Sequence, residues 1–221
     1  MDEAAQAVEP SSLIPLKYDP RAIVMVGDPA QLPATLFSNE ARDAGYGQSL
    51  FQRLQRQGHP LKVLDMQYRM HPMVCAFPST RFYNGMLRSA PTVTEQSHGT
   101  QYHGHPRYRP YIFHDVSEGW VQRPSPGAGV GTSLFNKEEV DYVVNLVKGL
   151  VQAFPHMDFN GRVGVIAPYR GQIRELQRAV NARRMGLRQD GVEIATVDGF
   201  QGREKEIIIL TCVRAPEAAR G

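Results

Sequence analysis

No apolar run in the sequence approaches the ~20 residues needed to cross a bilayer as a helix, so a membrane-spanning role is not expected. The first ten residues, MDEAAQAVEP, are acidic and polar where a secretory leader is basic and then apolar. Cysteine is scarce: Cys75 and Cys212 stand far apart, with no CxxC and no Cys/His spacing. This excludes a disulfide framework and predicts two buried, reduced thiols, as in a cytosolic or nuclear protein. Internal repeats and low-complexity domains are missing too. No lysine follows a glycine, so the GxxxxGK[ST] loop that cradles a triphosphate is absent from these residues. Lysine is rare altogether, and 20 of the 25 basic residues are arginine. Arginine grips phosphate in a bidentate fork better than lysine does, which favours a phosphate-rich partner. Arginine-rich codon usage accounts for the same count equally well.

The residues that are present describe a globular chain. At 42% hydrophobic and 21% charged, 221 residues suffice for one domain, or for one domain and part of another. The net charge of +3 is unevenly spread: residues 1–60 hold 5 Lys+Arg against 7 Asp+Glu, and residues 61–221 hold 20 against 15. Apolar strand-like runs recur at 22–28, 61–68, 111–116, 162–169, 192–200 and 206–213. Between them lie helical patterns. The segment 49–58 carries Leu50 and Leu54 and closes on Gly58. The segment 136–151 opens on Asn136 with Glu139 three residues on, and aligns Val140, Val143, Val144, Val147, Leu150 and Val151 in one stripe. The segment 171–186 carries Ile173, Leu176 and Val180 and ends at Gly186. Alternating strands and helices predict an α/β fold with a mainly parallel sheet. Two stretches interrupt the alternation. Residues 89–110, with His98, His103 and His105, read as a solvated surface loop rather than a metal site, and 117–133 reads as a mobile Gly/Pro-rich loop.

Four stretches carry chemistry. In VMVGDPAQLPAT an apolar strand ends in Gly27-Asp28, with Gln31 three residues on. Ligands of open α/β sheets sit beyond strand carboxyl ends, so Asp28 and Gln31 face a ligand or simply form a turn. In LDMQYRMHP, Arg69 just past a strand end is placed to reach a phosphoryl oxygen, and Tyr68 to stack on a base. A surface Arg and a half-buried Tyr are the plain alternative, and His71 reads as a hydrogen-bonded structural histidine. In VEIATVDGFQGREKEIIIL, two strand-like runs flank a polar hairpin. There Thr196 is a phosphate donor, Gly202 allows close backbone approach and Glu204 accepts from ribose hydroxyls, or the glycines merely satisfy turn geometry. Finally, 168–188 sets Arg170, Arg174, Arg178, Arg183, Arg184 and Arg188 against the single acid Glu175, as a nucleic-acid-facing helix or a solvated one.

Taken together, the stretches resemble a family. DEAAQAVEP, GDPAQLPAT, QYRMHPMVCAFPSTRFYNGML, VGVIAPYRGQI and TVDGFQGREKEIIILTCVR are similar, in this order, to the motifs of superfamily 1 helicases of the senataxin and nonsense-mediated-decay type. GYGQSLFQRL (45–54) resembles the senataxin branch more closely. The resemblance covers nearly the whole chain and is weakest at 89–133. It implies a RecA-like P-loop NTPase fold, ATP and Mg²⁺ as cofactors, and single-stranded RNA or DNA, or an RNA/DNA hybrid, as partner. By this resemblance Asp2 holds Mg²⁺, Glu3 activates the attacking water, Gln31 senses the γ-phosphate, Asp28 is a nucleotide-binding residue, and Arg69 is an arginine finger. Tyr68 packs near the adenine, Glu204 binds ribose and Gly202 lies close to the phosphates. Thr196 and the segment Pro168, Tyr169 and Arg170 touch the nucleic-acid strand. Many relatives carry Thr where Ala167 stands, which removes one phosphate contact.

The resemblance further implies that 1–60 is the tail of a first RecA-like domain and that 61–221 is most of a second, without its last motif. An intracellular location, nuclear or cytoplasmic with the nucleus favoured, follows from it as well. An ATP-dependent helicase is therefore expected of the intact protein. Lacking the phosphate loop, the 221 residues alone are expected to be a non-catalytic nucleic-acid-binding or interaction fragment. A replication helicase-nuclease of the same superfamily ranks lower, because nothing resembles a nuclease centre.

Overall fold

The valine stripe of 136–151 becomes the core of one of two units. The computed structural model describes residues 1–94, 96–123, 133–183, 186–188 and 190–214, and the chain divides into the compact units Met1–His98 and Gly99–Gly221. The first contains helices α1 (Glu9–Leu13), α2 (Asn39–Asp43) and α3 (Leu50–Arg56), strand β1 (Met66–Gln67), helix α4 (Pro72–Phe82) and strand β2 (Arg88–Ser89). The second contains α5 (Lys137–Ala153), β3 (Val163–Ala167), α6 (Arg170–Ala182), β4 (Val192–Thr196) and β5 (Ile207–Leu210), with short 3-10 turns between elements.

In the second unit the strands form a parallel sheet in the order β4-β3-β5. Parallel neighbours require crossovers, and α6 supplies the one from β3 to β4. The link from β4 to β5 corrects the sequence reading. Residues 197–206 are not a hairpin, because β3 lies between the two strands they join. They cross the sheet face instead, with Phe200 over Gly164: a Cβ there would stand 2.6 Å from the ring's Cζ, so only glycine lets the ring lie on the strand. On the opposite face, Val140, Val143, Val144, Val147 and Leu150 of α5 and Leu176 of α6 pack with Val163, Val165 and Val192. The start of α5 is set as its sequence signals: the Asn136 side chain accepts from the Glu139 amide at 3.1 Å. Helix α6 stops at Ala182, short of Gly186, which takes a positive φ further on.

Two readings of this unit need correction. Residues 89–110 are not merely a solvated loop, since Tyr102, on the 3-10 turn Gln101–Gly104, is buried with its ring against Phe154 and Phe159. An aromatic ring carries a large apolar area, so its burial anchors this part of the loop to the core. The run 111–116 forms no strand, and Tyr111 and Phe113 are exposed. Cys212 is exposed and only Cys75 is buried, because beyond β5 the chain turns Thr211 and Val213 inward and Cys212 and Arg214 outward. Burial pushes the Cys75 thiol above its usual pKa. Most of the predicted mobile loop, residues 124–132, lies outside the described residues.

The first unit is built more from turns than from sheet. Helix α3 is closed at both ends. Ser49 and Gln52 form a reciprocal capping box, and at the far end Gly58 (φ 81°) donates to Gln55 while His59 donates to Leu54. Arg53 on α3 forks onto Glu9 of α1 with three bonds of 2.8–3.0 Å, which lowers the Glu9 pKa through that hydrogen bond and ties the two helices. The runs at 22–28 and 61–68 are not the buried strands their composition suggested. Residues 22–28 form no strand, and of 61–68 only Met66–Gln67 pairs, parallel to Arg88–Ser89. Ile23, Val24, Val26, Leu61, Val63 and Leu64 are exposed.

Candidate functional site

The acidic turn at the start of the chain and the Gly27-Asp28 loop are neighbours. The Met1 amine donates to the Val24 carbonyl at 2.7 Å, Val26 N–H to Met1 at 2.9 Å and Ala4 N–H to Val26 at 2.8 Å. This short ladder lays residues 1–4 along 24–26. Gly27 completes the approach: a Cβ there would stand 2.8 Å from the Ala5 nitrogen and 3.0 Å from that of Ala4, both backbone atoms that cannot yield. Asp2 and Glu3 project from this junction, exposed. Glu3 has a left-handed backbone (φ 48°, ψ 38°), a strained state for a non-glycine residue that favours functional turns. The Asp2 carboxylate accepts the Glu3 amide at 3.0 Å, and the Glu3 carboxylate accepts the Gln6 side chain at 2.9 Å.

Asp28 is the hub of the loop. Its Oδ1 caps the Ala30 amide at 2.9 Å; its Oδ2 accepts the Gln31 side-chain amide at 3.0 Å and the Tyr83 hydroxyl at 2.5 Å. An amide held through its nitrogen turns its carbonyl oxygen away from the carboxylate. Tyr83 is the residue at the C-terminal cap of α4, and its pKa is pushed up to about 12, first by burial and then by the Asp28 carboxylate that accepts its hydrogen bond. The Tyr68–Arg69 turn lies just before α4. Gln67 builds this turn, accepting from the Arg69 and Met70 amides at 2.9 and 2.7 Å while donating to the Met70 carbonyl and to Ser89. His71 accepts the Met73 amide at 3.1 Å as the α4 cap, the structural part read for it. Tyr68 is exposed, its hydroxyl 3.3 Å from the Met66 sulfur.

In the second unit all three strands run the same way, so their carboxyl ends share one edge. Register pairs Ala167 with Thr196, which brings Thr196 and the segment Pro168, Tyr169 and Arg170 together there. Thr196 Oγ1 accepts the Gly199 amide at 3.2 Å and opens the crossover. Gly202 (φ 73°) has open space where a side chain would go. The basic residues flanking Glu204, Arg203 and Lys205, both bond Glu193 in the amino half of β4, so this stretch runs across the sheet rather than along its carboxyl edge. The arginine helix is largely engaged within the unit: Arg178 pairs with Glu175 and Arg183 with Asp141, while Arg184 lies outside the described residues. Among the described residues no group of three His, Cys, Asp or Glu gathers as a metal site. His98 bonds Ser97 and His105 packs on Tyr108.

Sequence reasoning passed over Gln67, Tyr83, Gln172, Thr211 and Arg214. Gln172 left a signal: it sits one turn before Leu176 on the apolar stripe, and a polar residue in a buried stripe requires a partner. Tyr83 left none, since its contact is with a residue 55 positions earlier.

Residues 46–220 match an AAA domain family profile, and residues 1–39 match a second AAA domain profile. The chain belongs to the AAA-domain family, in the senataxin-like branch of superfamily 1 helicases. It is 45% identical over 98% of its length to a probable helicase of Dictyostelium discoideum. It is 41% identical over 97% to the helicase sen1 of Schizosaccharomyces pombe, and 32% identical over 97% to the probable helicase senataxin of Homo sapiens. The chain spans 21%, 12% and 8% of those three relatives. The RecA-like P-loop fold class expected from the sequence therefore holds for this senataxin-like chain, and the parallel β4-β3-β5 sheet is its visible part. Nucleotide use comes with the family. No helix among the described residues is long and apolar enough to cross a membrane.

Proposed function

We propose that these residues form part of an ATP-hydrolysing helicase that binds single-stranded RNA or DNA and unwinds RNA or RNA/DNA hybrids. One observation carries the proposal: the backbone ladder and Gly27 bring the Asp2–Glu3 turn against the Asp28–Gln31 loop, within a chain of helicase family. Two adjacent exposed carboxylates are hard oxygen donors, and Mg²⁺ binds through one or two carboxylates together with phosphate oxygens and water, so the residues fit that ion. Asp2 would hold it. Held there beside ATP, Mg²⁺ would supply neutralisation of phosphate charge. Glu3 accepts a proton from the attacking water, Gln31 points its carbonyl at the γ-phosphate side, and Arg69 meets the charge that develops on transfer. Tyr68 covers the adenine, and Gly202 and Glu204 meet phosphate and ribose. Thr196, Pro168, Tyr169 and Arg170 hold the nucleic-acid strand at the sheet's carboxyl edge. In this reading 1–60 is the tail of a first RecA-like domain, 61–221 most of a second, and the protein works inside the cell, in the nucleus or the cytoplasm with the nucleus favoured. ATPase turnover of the full-length gene product, with and without single-stranded RNA, tests it. The expected result is stimulated turnover that Glu3→Gln abolishes; turnover indifferent to nucleic acid would sink the proposal.

A second reading applies to the 221 residues by themselves: a nucleic-acid-binding fragment without hydrolysis. It is favoured by the absence of GxxxxGK[ST], because phosphoryl transfer depends on holding the phosphates. ATP hydrolysis by the purified 221-residue chain, lost in Glu3→Gln, would overturn it.

A further inference from the structure

At the carboxyl edge of the second unit lies a buried polar chain that the proposed roles do not use. Gln172, on α6, is fully buried. Its Oε1 accepts the Asn136 amide at 2.8 Å and its Nε2 donates to Thr211 Oγ1 at 3.0 Å. The Thr211 hydroxyl donates onward to the Glu139 carboxylate. That carboxylate also takes the Val213 amide at 3.0 Å, while Asn136 Nδ2 donates to the Val213 carbonyl at 3.3 Å. Each group has its partner, as a buried network must to be stable. The segments tied together are the start of α5, the start of α6 and the exit of β5.

The network fixes Val213 on both sides. Its N–H and C=O are both taken, its side chain is fully buried, and its φ is +69°. A β-branched residue holds that conformation only where its surroundings over-determine it. The next residue, Arg214, is exposed, and its guanidinium lies 5.7 Å from the centre of the Tyr169 ring. Tyr169 caps α6 and precedes Arg170, which is also exposed. Two cations from different strand exits and one aromatic face thus share a surface. Cations and aromatic faces in series are what a phosphate-linked single strand requires.

We propose that Arg214 is a further nucleic-acid contact, and that Gln172 is its positioning residue, acting through Thr211, Glu139 and Asn136 so that the β3 and β5 exits bind as one surface. The proposal rests on the nucleic-acid reading above. It is tested by fluorescence anisotropy of the full chain with a labelled single-stranded oligouridine across a salt series. Removing one phosphate contact from a single strand lowers the slope of log affinity against log salt by about 0.7. Arg214→Gln is expected to lose that amount, Arg214→Lys to restore it, and Lys148→Gln, about three turns down α5, to leave it unchanged. Gln172→Leu and Thr211→Val are expected to weaken binding by the same route, with faster amide exchange at 211–214. Combining either with Arg214→Gln should then add nothing. An unchanged slope in Arg214→Gln overturns the contact. Full additivity of the double variants overturns the positioning role, even if one of the buried variants proves too unstable to measure and the other alone is read. A wild-type chain that does not bind the oligonucleotide overturns the underlying reading and this proposal with it, an outcome distinct from the first two.

Discussion

The Tyr83–Asp28 bond decides how the loop carrying Gln31 is held. Asp28 receives three donors, and the Tyr83 hydroxyl is the one that comes from the far side of the Tyr68–Arg69 turn. In Tyr83→Phe the carboxylate keeps two donors and loses a charge-assisted bond, for which about 1 kcal/mol of stability is expected. The pH dependence follows from the phenol's shift from 10.0 up to about 12. Its folded-state pKa is raised, so the neutral phenol is the form the fold favours. The associated stability is whole below pH 10 and is lost as pH climbs through 12. Urea titrations of wild type and Tyr83→Phe across that range should converge as pH rises. Curves that stay parallel would show that the bond carries no such linkage. Gln67 acts on the neighbouring turn in the same manner, through four bonds that fix backbone rather than touch a ligand.

Helix starts govern the second unit. Asn136→Ala removes the cap of α5 and also leaves the Val213 carbonyl without its buried donor. A lost cap costs about 1 kcal/mol and an orphaned buried group about 1–3, so a drop of about 2–4 kcal/mol is expected in denaturant melts. Gly171→Ala goes against helix propensity. Alanine is the better helix former by about 1 kcal/mol, yet its Cβ would stand 2.3 Å from the Ser133 carbonyl oxygen and 2.4 Å from that of Leu134. Backbone oxygens cannot rotate away, and overpacking of this kind typically costs about 1–3 kcal/mol, so net destabilisation is expected. A more stable Gly171→Ala would show that the two segments separate easily. The same elements show what a sequence can reveal. Helices α3, α5 and α6 were legible because their caps and apolar stripes are local, and β3, β4 and β5 because each is a short apolar run bounded by turn residues, although only β3 has a strand on both sides among the described residues. The runs 22–28 and 61–68 are equally apolar, but a parallel strand is completed by neighbours, and here 24–26 meets residues 1–4 while 61–65 forms no strand. Order across a sheet is likewise non-local, which is why 197–206 read as a hairpin. The candidate residues were legible as motifs; Tyr83, Gln172 and Arg214 were not, because their meaning lies in contacts that span dozens of residues.

Across the whole molecule the cores are unequal. Among the described residues the second unit buries eleven in one cluster around Val144, Val163 and Leu176, whereas the first gathers Ala4, Ala5 and Phe51. Each large apolar side chain fully buried contributes about 1.5–3 kcal/mol, and the first unit instead exposes Ile23, Val24, Val26, Leu61, Val63 and Leu64. The unit that holds Asp2, Glu3, Asp28 and Arg69 is therefore the weaker one, and local opening draws on the weakest packing first. Hydrogen exchange should find the amides of β3 and the middle of α5 protected longest, with 1–98 exchanging well before them. Heating should give two transitions, the lower one accompanied by loss of the Tyr83–Asp28 contact and shifted by Tyr83→Phe but not by Asn136→Ala. A single coincident transition, moved by both substitutions, would mean that the units fold as one and that the small core of the first draws its stability from the second.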